Sequence, residues 1–336
     1  MTSKTILRTV SLFSGCGGSD LGAQGDFLFL DKYYSRLNTG IVFANDINKK
    51  AASTYSLNFE HEIDTRSIQD ISADEIPNHE LLIAGFPCQP FSVVGLRQGF
   101  EDIRGQLFQD ITRILQYHQP KAFIAENVKG LVNMDDGNVL EYIIDEFSNT
   151  GYKVNYRVVN SADFGVPQKR QRIFIVGIHD SLGFEYKFPY PTHTEFPSFL
   201  TEQEWIPLGA ILDSLESVDS KYYFSERAVA GMKRANKAFN KGRYQDLEKP
   251  CNTITTHLAK VSLNGTDPVL LVDENTELYR RFTPREAARI QSFPDDFKFV
   301  GSDGDAYRQI GNAIPPVVMW HIVKALIEQT STNGVA

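Results

Sequence analysis

Cysteine is scarce in this chain: the 336 residues hold three, Cys16, Cys88 and Cys251. An odd, sparse set with no C-x-x-C spacing excludes a disulfide framework and a zinc cluster, so no structural metal and a reducing, cytoplasmic compartment are expected. No run of about eighteen apolar residues occurs, and no membrane span is expected. Residues 1–8 lack an apolar stretch ahead of a cleavage site, which argues against secretion. Positive charge is also in deficit, with 34 Lys and Arg against 42 Asp and Glu for a net charge of −8. That balance is awkward for a nucleic-acid binder, because phosphate contacts come from Lys and Arg. Repeats and low-complexity segments are missing too.

What is present suits a globular chain. Its 42% hydrophobic and 23% charged residues are ordinary proportions, and its length allows one large domain plus a smaller one. The charge is uneven: residues 221–260 carry nine Lys and Arg against three acids. Such a stretch is either a local phosphate-binding surface on an acidic protein or simply a solvated helix face.

The first half alternates short apolar runs with amphipathic segments. Strands are predicted over 8–13, 41–45, 81–86 and 122–125, with helices over 49–57 and 107–117 between them. This alternation reads as βαβ units and a mostly parallel sheet covered on both faces, an α/β fold. A helix over 139–148 precedes two more strands, 153–159 and 172–178, joined by a short link containing Gly165 and Pro167. These should form an antiparallel pair at the sheet edge. Beyond Asp180, Pro189, Pro191, Pro197 and Pro207 break up any long element, and periodicity stays weak to about residue 272. Regular structure returns where Thr283-Pro284-Arg285-Glu286 spells a capping box with Pro at the first helical position. A last helix should run from near Pro315-Pro316 to Glu328.

Chemistry-bearing residues sit where such a sheet binds ligands. Phe13-Ser14-Gly15-Cys16-Gly17-Gly18 follows the first strand, and its glycines would let the backbone approach a ligand or merely make a tight turn. It is not the dinucleotide G-x-G-x-x-G pattern, since the third glycine falls at Gly22, and no hydride-transfer constellation accompanies it. Asp46 ends the second strand, where acids commonly accept hydrogen bonds from ribose hydroxyls, and Asp70-Ile71 follows the next apolar run. Either acid could instead only cap a helix. Cys88 is flanked by Pro87 and Pro90 directly after a buried strand, so a stiff turn would hold it at the carboxyl edge. A lone cysteine is often a small buried hydrophobe, but this placement favours a nucleophile. Glu126-Asn127-Val128 ends the next strand, beside Cys88 if the two strands are neighbours. In Gln168-Lys169-Arg170-Gln171-Arg172, Arg170 and Arg172 project to one side by period two, although a basic pentad is commonly a solvated edge.

Taken in order, these motifs resemble the cytosine-C5 DNA methyltransferase family. The matching set is Phe13-x-Gly15-x-Gly17-Gly18, Pro87-Cys88-Gln89, Glu126-Asn127-Val128, Gln168-x-Arg170-x-Arg172, the stretch 281–294 and Gln309-x-Gly311-Asn312. The likeness covers about residues 8–180 and 278–328 and is greatest to the short bacterial and phage enzymes of restriction-modification systems. Two features depart from it. Residues 31–38 look like a surface insertion, and Ile47 stands where many relatives carry a bulkier residue beside the adenine.

The resemblance implies a Rossmann-like S-adenosylmethionine-dependent methyltransferase fold with a smaller, irregular target recognition domain. Residues 1–180 plus 274–336 would form a discontinuous catalytic, cofactor-binding domain, and residues 181–273 would read sequence. Cys88 would attack C6 of a flipped-out cytosine, because adding a thiolate there makes C5 reactive towards a methyl sulfonium. Glu126 would stabilise N3, and the dry site should raise its pKa. Arg172 would bond the cytosine O2, and Arg170 would steady the nucleophile loop and a nearby phosphate. Phe13, Gly15, Gly17 and Gly18 would surround the amino-acid part of S-adenosylmethionine, Asp46 its ribose, and Ile47, Asp70 and Ile71 its adenine. Pro87, Leu107 and Asn312 would complete that pocket. Gln89, Ser92, Thr253, Thr255, His257 and Lys260 would face double-stranded DNA. The resemblance also implies a monomer in a bacterial or phage-infected cell, beside a restriction endonuclease that acts on the same site without stable complex. Two rivals share the catalytic fold. A transfer-RNA methyltransferase would carry a Cys-Phe-Thr tripeptide that this chain lacks. A catalytically inactive DNA-binding relative would not need the intact Cys88, Glu126 and Arg170-x-Arg172 set.

Overall fold

A computed structural model describes residues 6–87, 107–198, 203–234, 244–258 and 267–334. Strands β1 (Leu7–Leu12), β2 (Thr39–Asn45), β3 (Leu81–Gly85), β4 (Ala122–Val128), β5 (Tyr152–Asn160) and β6 (Gln171–His179) form one six-stranded sheet in the order β2-β1-β3-β4-β6-β5. The pairs from β2 to β4 are parallel, whereas β6 runs antiparallel to both β4 and β5. The expected α/β class is therefore the observed one, with its antiparallel strands at one edge. The fourth strand continues past Ala125 to Val128, so Glu126 lies within the ladder and pairs with Gly85.

Continuous apolar runs form these strands because both faces are covered. Leu81 and Ile83 belong to one core and Leu82 and Ala84 to the other, as strand alternation requires. Helices α1 (Gly18–Gln24) and α2 (Lys49–Asn58) follow the first strands, then α3 (Leu107–His118), α4 (Asn138–Ser148), α5 (Pro284–Ile290), α6 (Asp303–Asn312) and α7 (Pro316–Thr332). Residues of α1 and α7 fill the first core, while α3 and α4 fill the second. The stretch Asp303–Thr332 is apolar enough to resemble a membrane span, yet 67% of its most apolar window is buried in this fold. Here it is a core element.

The expected surface insertion, residues 31–38, is mostly exposed, but Tyr34 and Leu37 anchor it in the core. Phe27–Phe29 and Lys32–Tyr34 form a hairpin, and Phe27, Phe29, Tyr34 and Leu37 are buried. Tyr34 stacks on Phe27 at 5.0 Å and meets Trp320 of α7 edge-on at 5.2 Å. Lys32, Tyr33, Ser35 and Arg36 are exposed, while Tyr34 and Leu37 turn inward and Tyr34 packs on α7 through Trp320.

Short elements fill the region after Asp180, including the parallel pair Gln168–Lys169 with Cys251–Asn252. A third core unites Leu208, Ile211, Cys251, Ile254 and Leu270 with Phe282, Phe293 and Ile310. Residues on both sides of position 273 thus share one core, and Tyr186 and Phe188 join the α7 core. The capping box of α5 forms as read, with Thr283 Oγ1 accepting from Glu286 N at 3.1 Å and Glu286 accepting from Thr283 N at 2.8 Å. The same Glu286 carboxylate takes two 2.7 Å bonds from Arg280, and both side chains are buried.

Candidate active site

A cavity of about 630 Å³ opens at the carboxyl ends of β1 to β4, a size suited to a small-molecule ligand. Its first wall is the turn after β1. Phe13 and Gly15 both adopt left-handed backbone conformations, with φ of 56° and 57°, unfavourable for Phe13 and free for glycine. This turn aims Gly15 N at Asp46, donating to Oδ2 at 2.8 Å, while Asn48 N donates to Oδ1 at 2.8 Å. Burial raises the Asp46 carboxyl pKa against the opposing pull of these two bonds. Ile47 borders the cavity and is 69% exposed, and Leu107, Pro87 and Asn312 complete the rim.

Two of the expected glycines do other work. Neither Gly17 nor Gly18 lines the cavity. A Cβ on Gly17 would lie 2.2 Å from the Phe59 ring, and one on Gly18 would lie 2.5 Å from the Ile314 carbonyl oxygen. They let the start of α1 press against α2 and the segment before α7.

Asp70 and Ile71, expected at the site, lie off the cavity lining. Ile68–Asp70 is a single 3-10 turn, whose tight winding puts Ile68 and Gln69 on the cavity and leaves Asp70 exposed. Ile71 is 1% exposed, inside the second core. Sequence reading missed this wall, which also includes Arg66 and Ser67. The signal for it is Asn45, whose side-chain amide donates to the carbonyls of Asp64 and Arg66 at 3.0 and 2.9 Å and so carries the segment to the end of β2.

The opposite wall carries acid–base chemistry. Cys88, Gln89 and Ser92 lie outside the described residues, as does Lys260. The chain leading to Cys88 is well placed, however. Pro87 lines the cavity, and Asn127 Nδ2 donates to Phe86 O at 3.1 Å. Glu126 Oε1 lies 3.2 Å from Arg172 Nε, and both side chains are mostly buried. Burial raises the Glu126 pKa, outweighing first Arg172 and then Arg170, which lower it. A carboxyl held this way binds a proton more readily than one in water.

Arg170 also borders the cavity, but its guanidinium faces inward. It is 2% exposed and donates to Ile254 O at 3.3 Å, Gly311 O at 3.0 Å and Ala313 O at 3.3 Å. Burial lowers its pKa, with Arg172 adding to that effect and Glu126 opposing it. The expected phosphate contact is therefore replaced by a clasp on three carbonyls, whose lone pairs compensate a buried cation that would otherwise be costly.

Of the expected DNA-facing residues, Thr253 donates its hydroxyl to Lys169 O at 2.8 Å and Thr255 donates to Asp267 at 2.6 Å. Both hydroxyls tie their segment to other parts of the chain. His257 remains exposed. The basic stretch 221–260 is described only in part, over 221–234 and 244–258.

A profile of the C-5 cytosine-specific DNA methylases matches residues 7–328. Type II methyltransferase M.NlaX of Neisseria lactamica is 36% identical over 333 residues, covering 96% of this chain and 96% of its own. Type II methyltransferase M.DsaV of Dactylococcopsis salina is 35% identical over 328 residues, with 96% and 87% covered. Among solved structures, the S. pombe Dnmt2 methyltransferase superposes with a TM-score of 0.76 at 21% identity, covering 96% of this chain and 99% of that one. At that identity the likeness concerns the fold alone. The family match spans all four strand ends that wall the cavity, and this chain belongs to the C-5 cytosine-specific DNA methylase family, with DNA cytosine-5-methyltransferase activity.

Proposed function

We propose that this enzyme binds S-adenosylmethionine in the cavity and methylates a cytosine turned out of double-stranded DNA, through a covalent bond between Cys88 and C6. The observation that carries the reading is a single cavity bounded by the Gly15–Asp46 wall on one side and by Glu126, Arg172 and Pro87 on the other.

The residues present fit the cofactor. The Asp46 carboxylate, held by two backbone N–H groups, can still accept hydrogen bonds from ribose hydroxyls. The exposed Ile47 offers an apolar face to an adenine ring, and Phe13 and Asn312 flank the remaining space. S-Adenosylmethionine supplies an electrophilic methyl group on its sulfonium sulfur.

On the cytosine side, the Cys88 thiolate adds to C6 and places an electron pair on C5 and the ring. Glu126 shares its proton with N3 as that charge arrives, and Arg172 beside it donates to the O2 oxygen. C5 would then take the methyl group as its bond to sulfur breaks, with S-adenosylhomocysteine as the leaving group. A base removes the C5 proton, the C5–C6 double bond re-forms, and the Cys88–C6 bond breaks. A base inside a duplex is out of reach of such a cavity, so the target is extruded first.

Residues 181–273 supply sequence reading in this proposal, with His257 at the DNA. The cellular role that fits is the modification half of a bacterial restriction-modification system, acting as a monomer alongside an endonuclease of the same specificity. The test is incubation with methyl-labelled S-adenosylmethionine and mixed-sequence DNA, beside Cys88→Ala, followed by bisulfite mapping. We expect label in one recurrent short motif and none with Cys88→Ala. Label from Cys88→Ala would overturn the covalent route, and no transfer to DNA by the unaltered enzyme would overturn the substrate assignment.

A further inference from the structure

Two buried glutamines connect the walls of this site. Gln168 and Gln291 are both 0% exposed. Ile254 N donates to Gln168 Oε1 at 3.0 Å, and Gln168 Nε2 donates to Gln291 Oε1 at 2.6 Å and Ile290 O at 3.2 Å. Gln291 Nε2 in turn donates to Ala313 O. The donors all run one way, from the segment Thr253–His257 through two side-chain amides to the loop that follows Asn312. Arg170 makes a second, parallel link from Ile254 O to Gly311 O and Ala313 O.

The two segments also touch directly. A Cβ on Gly311 would lie 2.5 Å from the backbone carbon of Thr255. Glycine at this position therefore lets the backbone around Thr255 lie against the last turn of α6. Asn312, whose neighbours carry the gripped carbonyls, lines the cavity. A ligand that moves Asn312 moves those carbonyls, and with them the amide chain that ends at Ile254. A buried amide chain with every link satisfied specifies one arrangement, because breaking any link strands a desolvated donor or acceptor.

We propose that Gln168 and Gln291 are positioning residues that couple the two ligand sites, holding Thr253–His257 in register with the Gly311–Ala313 wall so that cofactor and DNA bind cooperatively. The inference rests on reading the cavity as the cofactor site and Thr253–His257 as DNA-facing. By linkage the effect is reciprocal: each ligand tightens the other by the same factor.

The experiment measures DNA affinity with and without saturating S-adenosylhomocysteine, using a duplex that carries the motif mapped above. In the unaltered enzyme S-adenosylhomocysteine should tighten DNA binding about fivefold or more, the lower range of such couplings. Gln291→Met keeps the volume but cuts the chain at both links. It should reduce that factor below about twofold, while the affinity for S-adenosylhomocysteine alone stays within about twofold. Where Gln291→Met fails to fold, Gln291→Asn, which keeps the amide but is one methylene short, is measured in its place with the same expectation. A purely structural glutamine pair would lower the melting temperature and leave the coupling factor intact, and that result overturns the inference. So does an unaltered enzyme that binds both ligands with no coupling. An enzyme that binds neither S-adenosylhomocysteine nor the duplex would instead overturn the reading of function beneath it.

Discussion

Glu126 and Arg172 meet across the antiparallel pair β4 and β6, with Arg172 Nε 3.2 Å from Glu126 Oε1. The ladder pairs Glu126 with Phe174 and Val128 with Arg172, so the two charged residues are diagonal neighbours on one face. One residue of slip in either strand would send one of them to the opposite face. The antiparallel reversal of β6 thus brings a basic residue to the carboxyl end of β4, where the acid is.

Glu126→Gln should slow methyl transfer by about 100-fold or more, in the range of general acid–base losses, and change DNA affinity far less. Single-turnover rates and duplex titrations check this, and equal losses in both would remove Glu126 from the chemistry. Stability should move the other way. Because burial raises the folded-state pKa of Glu126, the ionised form costs stability above the unfolded value of about 4.3, and the cost disappears below it. Glu126→Gln should therefore melt above the unaltered protein at pH 8, with a smaller advantage at pH 5.

Asp46 and Asp70 should separate cleanly. Asp46→Ala removes the acceptor for Gly15 N and Asn48 N at the cavity wall, and should weaken S-adenosylhomocysteine binding about tenfold or more, as expected for a bond to a charged group. Asp70→Ala, at an exposed position off the cavity wall, should leave it unchanged. Isothermal titration reads both, and a comparable loss from Asp70→Ala would restore it to the site.

Gly15→Ala and Gly17→Ala impose similar backbone penalties with different surroundings. A Cβ at Gly15 meets nothing within 4 Å, so stability should fall only by the left-handed penalty of about 1–2 kcal/mol. Gly17→Ala must also displace the Phe59 ring from 2.2 Å, adding overpacking of ~1–3 kcal/mol. Urea unfolding compares them. Gly15→Ala should show the larger loss of S-adenosylhomocysteine affinity, since it alone borders the cavity, and the opposite ranking would contradict this division.

His321 should contribute to acid sensitivity. Burial, with Lys32, Lys324 and His193 nearby, holds its pKa down at about 3. A histidine whose folded pKa is depressed stays neutral in the fold while the unfolded chain takes up a proton below about 6.5. Stability is therefore full above that pH and declines as pH falls towards the folded value. His321 packs against Phe164 and Trp320 at ring separations of 5.2 and 5.0 Å, so phenylalanine is the replacement that keeps an aromatic ring and removes the titrating group. Melting temperatures of His321→Phe should fall less steeply than those of the unaltered protein between pH 6.5 and 4.5. His79, held down to about 4, leaves a residual slope, and an unchanged slope would exclude His321 as a contributor.

Much of this protein was legible without coordinates. Apolar runs of strand length separated by amphipathic segments located all six sheet strands to within a few residues, and the capping box placed the start of α5, because both patterns are local. The order of the glycine turn, Pro87-Cys88, Glu126 and Arg170-x-Arg172 was enough to identify the family. Local patterns did not decide which residue of each motif faces the cavity. The turn geometry put Gly15 on it and Gly17 and Gly18 behind it, and one 3-10 turn exchanged Asp70 for Ile68 and Gln69. Nor does composition reveal that the hairpin around Tyr34 covers α7, since its aromatics only gain a core once Trp320 arrives from the far end of the chain. Arg170 is the clearest instance. A basic pentad read along the chain is a solvated edge or a phosphate contact, but its fate depends on carbonyls 84 and 141 residues away. Periodicity reports which side of a strand is buried; what a buried cation binds is settled only when remote backbone is folded against it, because desolvation admits the charge only where acceptors already converge.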